Sequence, residues 1–272
     1  MTQQASSETT PAPKPVVVKV SGALLGEGGA PEAFWEAVKA LHASAPVVVV
    51  HGGGAQATDM ARRLGHEPTV VQGRRVTTDL DLDIVQWVLR GKLNTQLVAQ
   101  AKRHGLTAVG LSGADGGMLR VARRPPWTVD GETVDFGWVG DVEGVDPSLL
   151  ERLLAGGVVP IVAPLGIDAD GQVYNVNADT VARALAGALG AEELLLVTST
   201  GGVRREVDAP ASHLATCDAA TFADGTRAGW IDGGMRVKLE VAFDALRTGV
   251  ERVFICAPDD MLTRARATRV VG

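Results

Sequence analysis

The sequence predicts an α/β protein, an open αβα sandwich around a mainly parallel sheet. Three observations carry that expectation. Six apolar runs lack the polar alternation of a half-exposed strand, so they suit strands covered on both faces. Segments of helical spacing lie between those runs, and several close on a glycine where a helix C-cap belongs. Glycines stand directly after two of the runs, at Gly22 and in HGGGAQ (51 to 56), where a strand hands over to a helix.

The start, MTQQASSETTPAPKP, is polar and rich in proline, and residues 1 to 14 are expected to be a disordered tail. It lacks the basic and apolar regions of a signal peptide. VVVKV at 16 to 20 is the first strand and PEAFWEAVKALHA the first helix. VVVV at 47 to 50 and AQATDMARRLG repeat that pair. LDIVQWVLRGKLNTQLVAQAKRHG reads as one long helix before the strand TAVGL at 107 to 111. Residues 115 to 142 break the rhythm with RRPPW and a DGE turn, which predicts a small hairpin insertion. DPSLLERLLAGG, VVPIVAP at 158 to 164 and ADTVARALAGALG restore the alternation, and ELLLVT at 193 to 198, MRVKLEVAFDALRTG and RVFICA at 252 to 257 complete it. A soft boundary near residues 190 to 193 separates a lobe of residues 15 to 192 from one of residues 193 to 272.

Bulk properties exclude several classes. The 272 residues are 46% hydrophobic, enough for a sizeable core. With 26 basic and 32 acidic residues the net charge is −6, so no basic field exists to hold nucleic acid or an anionic membrane. Any bound anion needs a local site. Cys217 and Cys256 have neither metal-ligand spacing nor partners for a disulfide framework, which fits a reducing cytoplasm. No run reaches the roughly 18 apolar residues of a membrane helix.

The glycines admit three readings. Gly52, Gly54 and Ala57 match a dinucleotide fingerprint, although GRRVT at 73 to 77 stands where an acidic ribose ligand is wanted; its arginines would suit NADP in a Rossmann oxidoreductase. HGGG is also an oxyanion-hole motif, but GLSGAD at 110 to 115 carries Ala114 where the serine elbow needs its last glycine, and no acid is placed to orient His213. In the third reading, successive backbone N–H groups at a helix start cradle a phosphate or carboxylate.

Cations in unusual places favour that cradle. Lys19 lies inside a valine strand, where an unpaired ammonium is costly. Lys238 follows Gly233 and Gly234, with Arg236, in the first turn of a helix whose dipole disfavours positive charge. YNVNAD brings Asn175, Asn177 and Asp179 to another helix start, as caps or as a polar platform. No Walker pattern is present, so the P-loop kinase is excluded.

VKVSG, VVVVHGGGAQ, GRRVT, GLSGADGG, GDVEGVDP, IVAPLGIDADGQVYNVNADT and DGGMRVKLEVAFDAL together resemble the amino acid kinase family, in order from about residue 15 to 250. Within it they are most similar to the branch that phosphorylates N-acetyl-L-glutamate for arginine biosynthesis; a second branch acts on aminoadipate or glutamate borne on a carrier protein in lysine biosynthesis. The resemblance implies that the first lobe binds acetylglutamate and the second ATP, with Mg2+ arriving on ATP and no metal ligand from the protein. It implies that Lys19 and Lys238 neutralise the transferring phosphoryl group and that Asp179 orients both. Gly22, Gly53 and Gly54 would supply backbone N–H groups, Arg75 and Asn175 would hold the other carboxylate with Asn177 beside them, and Ser199, Gly233 and Gly234 would border the nucleotide. Ser21 replaces a usual glycine, TSTGGV a usual D-x-x-G turn and Val237 a usual proline, departures that fall mostly in the ATP lobe. A homodimer is implied, without the N-terminal helix that links arginine-inhibited hexamers.

Overall fold

The computed structural model describes residues 13–71, 74–129, 131–206 and 208–272. β1 (Val16–Val20), α1 (Glu32–His42), β2 (Val47–His51) and α2 (Gly54–Arg63) come first, then the short strands β3 (Val70–Val71) and β4 (Arg74–Arg75), α3 (Asp79–Val85), α4 (Asn94–Arg103) and β5 (Ala108–Ser112). β6 (Leu119–Arg123), β7 (Trp127–Val129), β8 (Glu132–Val134) and β9 (Gly140–Val145) follow, then α5 (Ser148–Ala155), β10 (Val159–Ala163), β11 (Leu165–Ile167), β12 (Val173–Asn175) and α6 (Ala178–Ala188). β13 (Glu193–Val197), β14 (Thr216–Cys217), α7 (Ala219–Ala228), α8 (Gly233–Arg247), β15 (Arg252–Cys256) and β16 (Thr268–Val270) complete the chain.

All six apolar runs enter one eight-stranded sheet of order β14-β16-β15-β13-β1-β2-β10-β5. Its neighbours are parallel except β15 and β16. β1 lies centrally, hydrogen-bonded to β13 on one side and β2 on the other, so crossovers leave it in both directions. A crevice at the carboxyl ends of strands belongs at such a switch point. The sheet is continuous across the connection from α6 to β13, where the sequence suggests a change of lobe.

Two cores cover the two faces. Val16, Val18, Val20, Val47 and Val49 pack with α1, α2 and α4, whereas Val17, Val48 and Val50 pack with α5, α6 and α8. The period of two places Lys19 on the same face as Val17, toward α6 and α8.

Residues 115 to 142 form the expected insertion. β6 pairs antiparallel with β9, and the hairpin β7–β8 projects between them. Of its DGE turn, Asp130 lies outside the described residues, as do residues 1 to 12 of the expected tail; Lys14 forms an ion pair with Glu251. The helix expected over 82 to 105 differs in one respect. Between α3 and α4, residues Gln86–Leu93 take π-helical turns. Leu89 and Leu93 of this widened stretch lie against Gly53, where an added Cβ would meet their side chains at 2.9 and 2.6 Å.

Candidate active site

The two glycine turns after β1 and β2 pack backbone against backbone. A Cβ on Gly22 would stand 2.8 Å from the Gly53 nitrogen, and one on Gly52 would stand 2.8 Å from the Gly22 nitrogen. Gly52 N–H donates to the Val20 carbonyl at 3.0 Å. Gly54 has nothing within 4 Å of a built Cβ and opens into a cavity of about 480 Å³. Gln56, at the end of HGGGAQ, joins the turns by donating to the carbonyls of Gly22 (2.8 Å) and Leu25 (2.6 Å).

His51 supports this floor from below. It is fully buried; Asn94 Nδ2 meets its Nε2 at 3.1 Å, so Nδ1 carries the proton and donates to the Gly52 carbonyl at 3.0 Å. Burial pushes its pKa down to about 4, so the ring is neutral near pH 7. Neither His51 nor Gln56 was singled out by the sequence, although both stand in the conspicuous HGGGAQ stretch.

Lys19, Asp179 and Lys238 meet at the cavity floor. Lys19 Nζ lies 2.7 Å from Asp179 Oδ1, and Lys238 Nζ lies 3.5 Å from Oδ2. Asn177 caps α6, its Oδ1 accepting from the N–H groups of Asp179 (2.9 Å) and Thr180 (3.1 Å), which places Asp179 at the positive end of the helix. Burial alone would raise the Asp179 pKa, but the Lys19 and Lys238 ammonium groups outweigh it and hold the carboxyl below its ordinary range. Burial likewise lowers the pKa of Lys19, with Asp179 opposing the shift. A buried and a partly buried ammonium group share one carboxylate, so the floor has net positive charge and is prepared for an anion.

α8 begins at Gly233, so Arg236, its fourth residue, closes the first turn as expected, and Lys238, its sixth, lies in the second. Lys238 reaches back toward Asp179, whereas Arg236 pairs with Glu240 at 3.0 Å on the exposed side. Of the expected pair, Lys238 alone meets the carboxylate.

Arg75 is held from three sides, donating to Thr58 Oγ1 (2.5 Å) and the Gly54 carbonyl (3.2 Å) and pairing with the buried Asp81 (3.3 Å). Asn175 Nδ2 donates to Thr77 Oγ1 at 3.2 Å. Gly22, Gly53, Gly54, Arg75, Asn175 and Asn177 line the cavity with the triad. Gly233 and Gly234 line an adjoining one of about 660 Å³ that also reaches Lys238. Ser199 lines neither; it is exposed, while its neighbours Thr198 and Thr200 line a third cavity of about 460 Å³ against Trp230, Met235 and Lys238. Asp179 is the only carboxylate among the described residues lining the first cavity, and it is engaged by both lysines, so this donor set suits an anion and not a protein-held metal.

The hydrolase reading of the glycines fails on geometry. Ser112 ends β5 at one edge of the sheet and bonds Asp115, whereas His213 contacts Thr268 on β16 near the other edge, so no serine–histidine pair forms.

Residues 14–257 match the model of the amino acid kinase family. The chain belongs to that family. It is 41% identical to an acetylglutamate kinase of Sorangium cellulosum, over 98% of this chain and 96% of the relative, and 42% identical to one of Symbiobacterium thermophilum, over 89% and 83%. Among solved structures, smu.665 of Streptococcus mutans superposes with a TM-score of 0.80 at 25% identity, over 94% of this chain and 98% of that one. The family accounts for the parallel sheet, and its chemistry agrees with an anion cradle at the strand ends.

Proposed function

We propose that the chain transfers the γ-phosphoryl group of ATP to the γ-carboxylate of N-acetyl-L-glutamate, forming an acyl phosphate. The observation that carries this reading is the pairing of both Lys19 and Lys238 with the one buried Asp179, beside glycine turns packed too closely for a side chain. The relatives over most of the chain supply the acceptor. An ionised carboxylate needs no general base at pH 7, and the cavity offers none: Asp179 is held ionised between two cations. Catalysis then rests on position and charge.

In this reading Lys19 and Lys238 meet the charge on the transferring group, and Asp179 holds both ammonium groups in register without touching substrate. Backbone N–H groups at Gly22, Gly53 and Gly54 face the reacting oxygens. Arg75 and Asn175 hold the non-reacting carboxylate, and Asn177 steadies the α6 start. ATP enters from the α8 side, with Gly233, Gly234 and the Thr198–Thr200 turn around it, and brings Mg2+ on its phosphates. Residues 15 to 192 form the acceptor lobe and 193 to 272 the nucleotide lobe. A cytoplasmic homodimer without strong arginine inhibition belongs to the same proposal.

The test is hydroxylamine trapping of the acyl phosphate with ATP, Mg2+ and a panel of acidic amino acids. Hydroxamate from N-acetyl-L-glutamate is expected. Its absence, with product formed only from a carrier-linked acceptor, would overturn the assignment.

A further inference from the structure

β4 consists of two arginines whose side chains leave on opposite faces, as successive strand residues must. Arg75 turns to Thr58, Gly54 and Asp81, and its charge is met by that buried carboxylate. Arg74 turns to the insertion, where its guanidinium carbon lies 4.6 Å from the centre of the Trp127 ring. Arg124 stacks on the same indole at 4.7 Å, but its charge is taken by Asp141, whose Oδ1 accepts from Nε at 2.9 Å and from Nη2 at 2.6 Å. Three guanidinium groups therefore stand at the cavity rim against two carboxylates. Among the described residues, no carboxylate lies within ion-pair distance of Arg74.

A guanidinium stacked on an aromatic ring keeps its N–H edges free for an in-plane, bidentate anion. Burial, then the neighbouring Arg124 charge, holds the Arg74 pKa below the usual arginine value, and arginine remains charged at neutral pH. An anion would relieve that repulsion. Arg74 lines the same cavity as Lys19, Arg75 and Asn175. It also borders the space at the α8 start lined by Gly233, Gly234 and Lys238, which the proposed function gives to the nucleotide. The acceptor brings its non-reacting carboxylate into the same cavity, where Arg75, already paired with Asp81, shares the hold on it.

We propose that Arg74 is a second carboxylate receptor of the acceptor site, held in place by Trp127, and that it sets acceptor specificity. The proposal rests on the acceptor reading given above. The carboxylate comes either from the α-position of the glutamyl unit or from an N-acyl group that itself ends in a carboxylate. Both sources present the same chemistry to Arg74, and substrates can separate them.

The experiment measures kcat and KM for wild type, Arg74→Leu, Arg74→Lys and Trp127→Leu with three acceptors. These are N-acetyl-L-glutamate, N-acetyl-4-aminobutyrate, which lacks the α-carboxylate, and N-succinyl-L-glutamate, which adds one on the acyl group. Arg74→Leu should lower kcat/KM about tenfold or more, through KM, only for acceptors bearing the carboxylate that Arg74 reads. Arg74→Lys should recover part of the loss, and Trp127→Leu should show a weaker copy of it. A fall with both glutamates that spares the aminobutyrate assigns the α-carboxylate; a fall confined to the succinyl compound assigns the acyl group. An equal fall across all three acceptors, no fall, or a change confined to the KM for ATP overturns the proposal. A wild type that phosphorylates none of the three removes the acceptor reading and this inference with it.

Discussion

The floor and the rim of the cavity are built in different ways. At the floor, Lys19, Gly22, Gly52 and Asp179 stand on buried strand ends and a helix start, and the backbone makes much of the contact. At the rim, Arg74, Arg75 and Arg124 reach the cavity with long side chains from short strands and the insertion, Arg74 and Arg124 lying over the Trp127 ring. The floor has little freedom to adapt where the two turns touch, since an atom added at Gly22 or Gly52 meets backbone. The rim exchanges one side-chain partner for another at modest cost. Such a division assigns the chemical step to the floor and acceptor choice to the rim, so floor variants should act on kcat and rim variants on KM.

The largest effect expected is at the triad. Lys19→Met and Lys238→Met should each lower kcat by about a hundredfold or more, because each removes a charge matched to the transition state. Asp179→Asn should do as much and also destabilise the fold by roughly 3 kcal/mol, since it leaves the buried Lys19 ammonium and the partly buried Lys238 ammonium without their carboxylate. Steady-state kinetics and thermal unfolding check both. Near-normal turnover in the lysine variants would place the phosphoryl contact elsewhere.

The glycines test the floor by degrees. Gly22→Ala and Gly52→Ala force a Cβ to 2.8 Å from a backbone nitrogen, so the two turns must separate, and kcat should fall about tenfold with a lowered Tm. Gly53→Ala meets only the Leu89 and Leu93 side chains, which can shift, and should cost less. Gly54→Ala meets nothing and should leave Tm unchanged and lower kcat least of the four. A uniform response across the four positions would remove the backbone-contact explanation.

What the sequence made legible follows the same division. Lys19 stood out because a strand of valines fixes its surroundings within five residues, and the glycines stood out because each turn is local. The six strands were readable for the same reason. The rim was not, because its contacts join residues far apart in the chain: Arg75 to Asp81 and Thr58, Arg74 to Trp127, Arg124 to Asp141. Arg123 and Arg124 stand side by side in RRPPW, yet each is paired with an aspartate distant in the chain, Asp135 and Asp141. The π-helical turns beside Gly53 were hidden too, because their apolar spacing also fits a regular helix.

At the rim, Arg75→Ala should raise the KM for the acceptor about tenfold and that for ATP little, since a guanidinium–carboxylate contact belongs to the acceptor alone. Its loss also leaves Asp81 short of a partner, so a small fall in Tm should accompany it. A defect confined to ATP would move Arg75 to the nucleotide side and erase the distinction between rim and floor.

The smallest effect at neutral pH sharpens the floor from beneath. His51 is neutral in the fold, with its pKa pushed down to about 4 by burial, against an ordinary value of 6.5. Between those values the unfolded chain binds a proton that the folded chain refuses, so stability falls as pH drops through this window and is untouched above it. At pH 5.5 the loss from this one group is about 1 kcal/mol. Replacing the ring with an amide that does not titrate, in His51→Gln, should therefore flatten the decline in chemical-denaturation stability between pH 6.5 and 4, whatever constant cost the lost contacts to Gly52 and Asn94 impose. Activity at pH 7.5 should report a different quantity, the hold on the Gly52 carbonyl, through a modest fall in kcat with KM unchanged. If His51→Gln retained the full acid slope, the imidazole would not be the group that titrates, and the floor would owe its acid sensitivity to the triad instead.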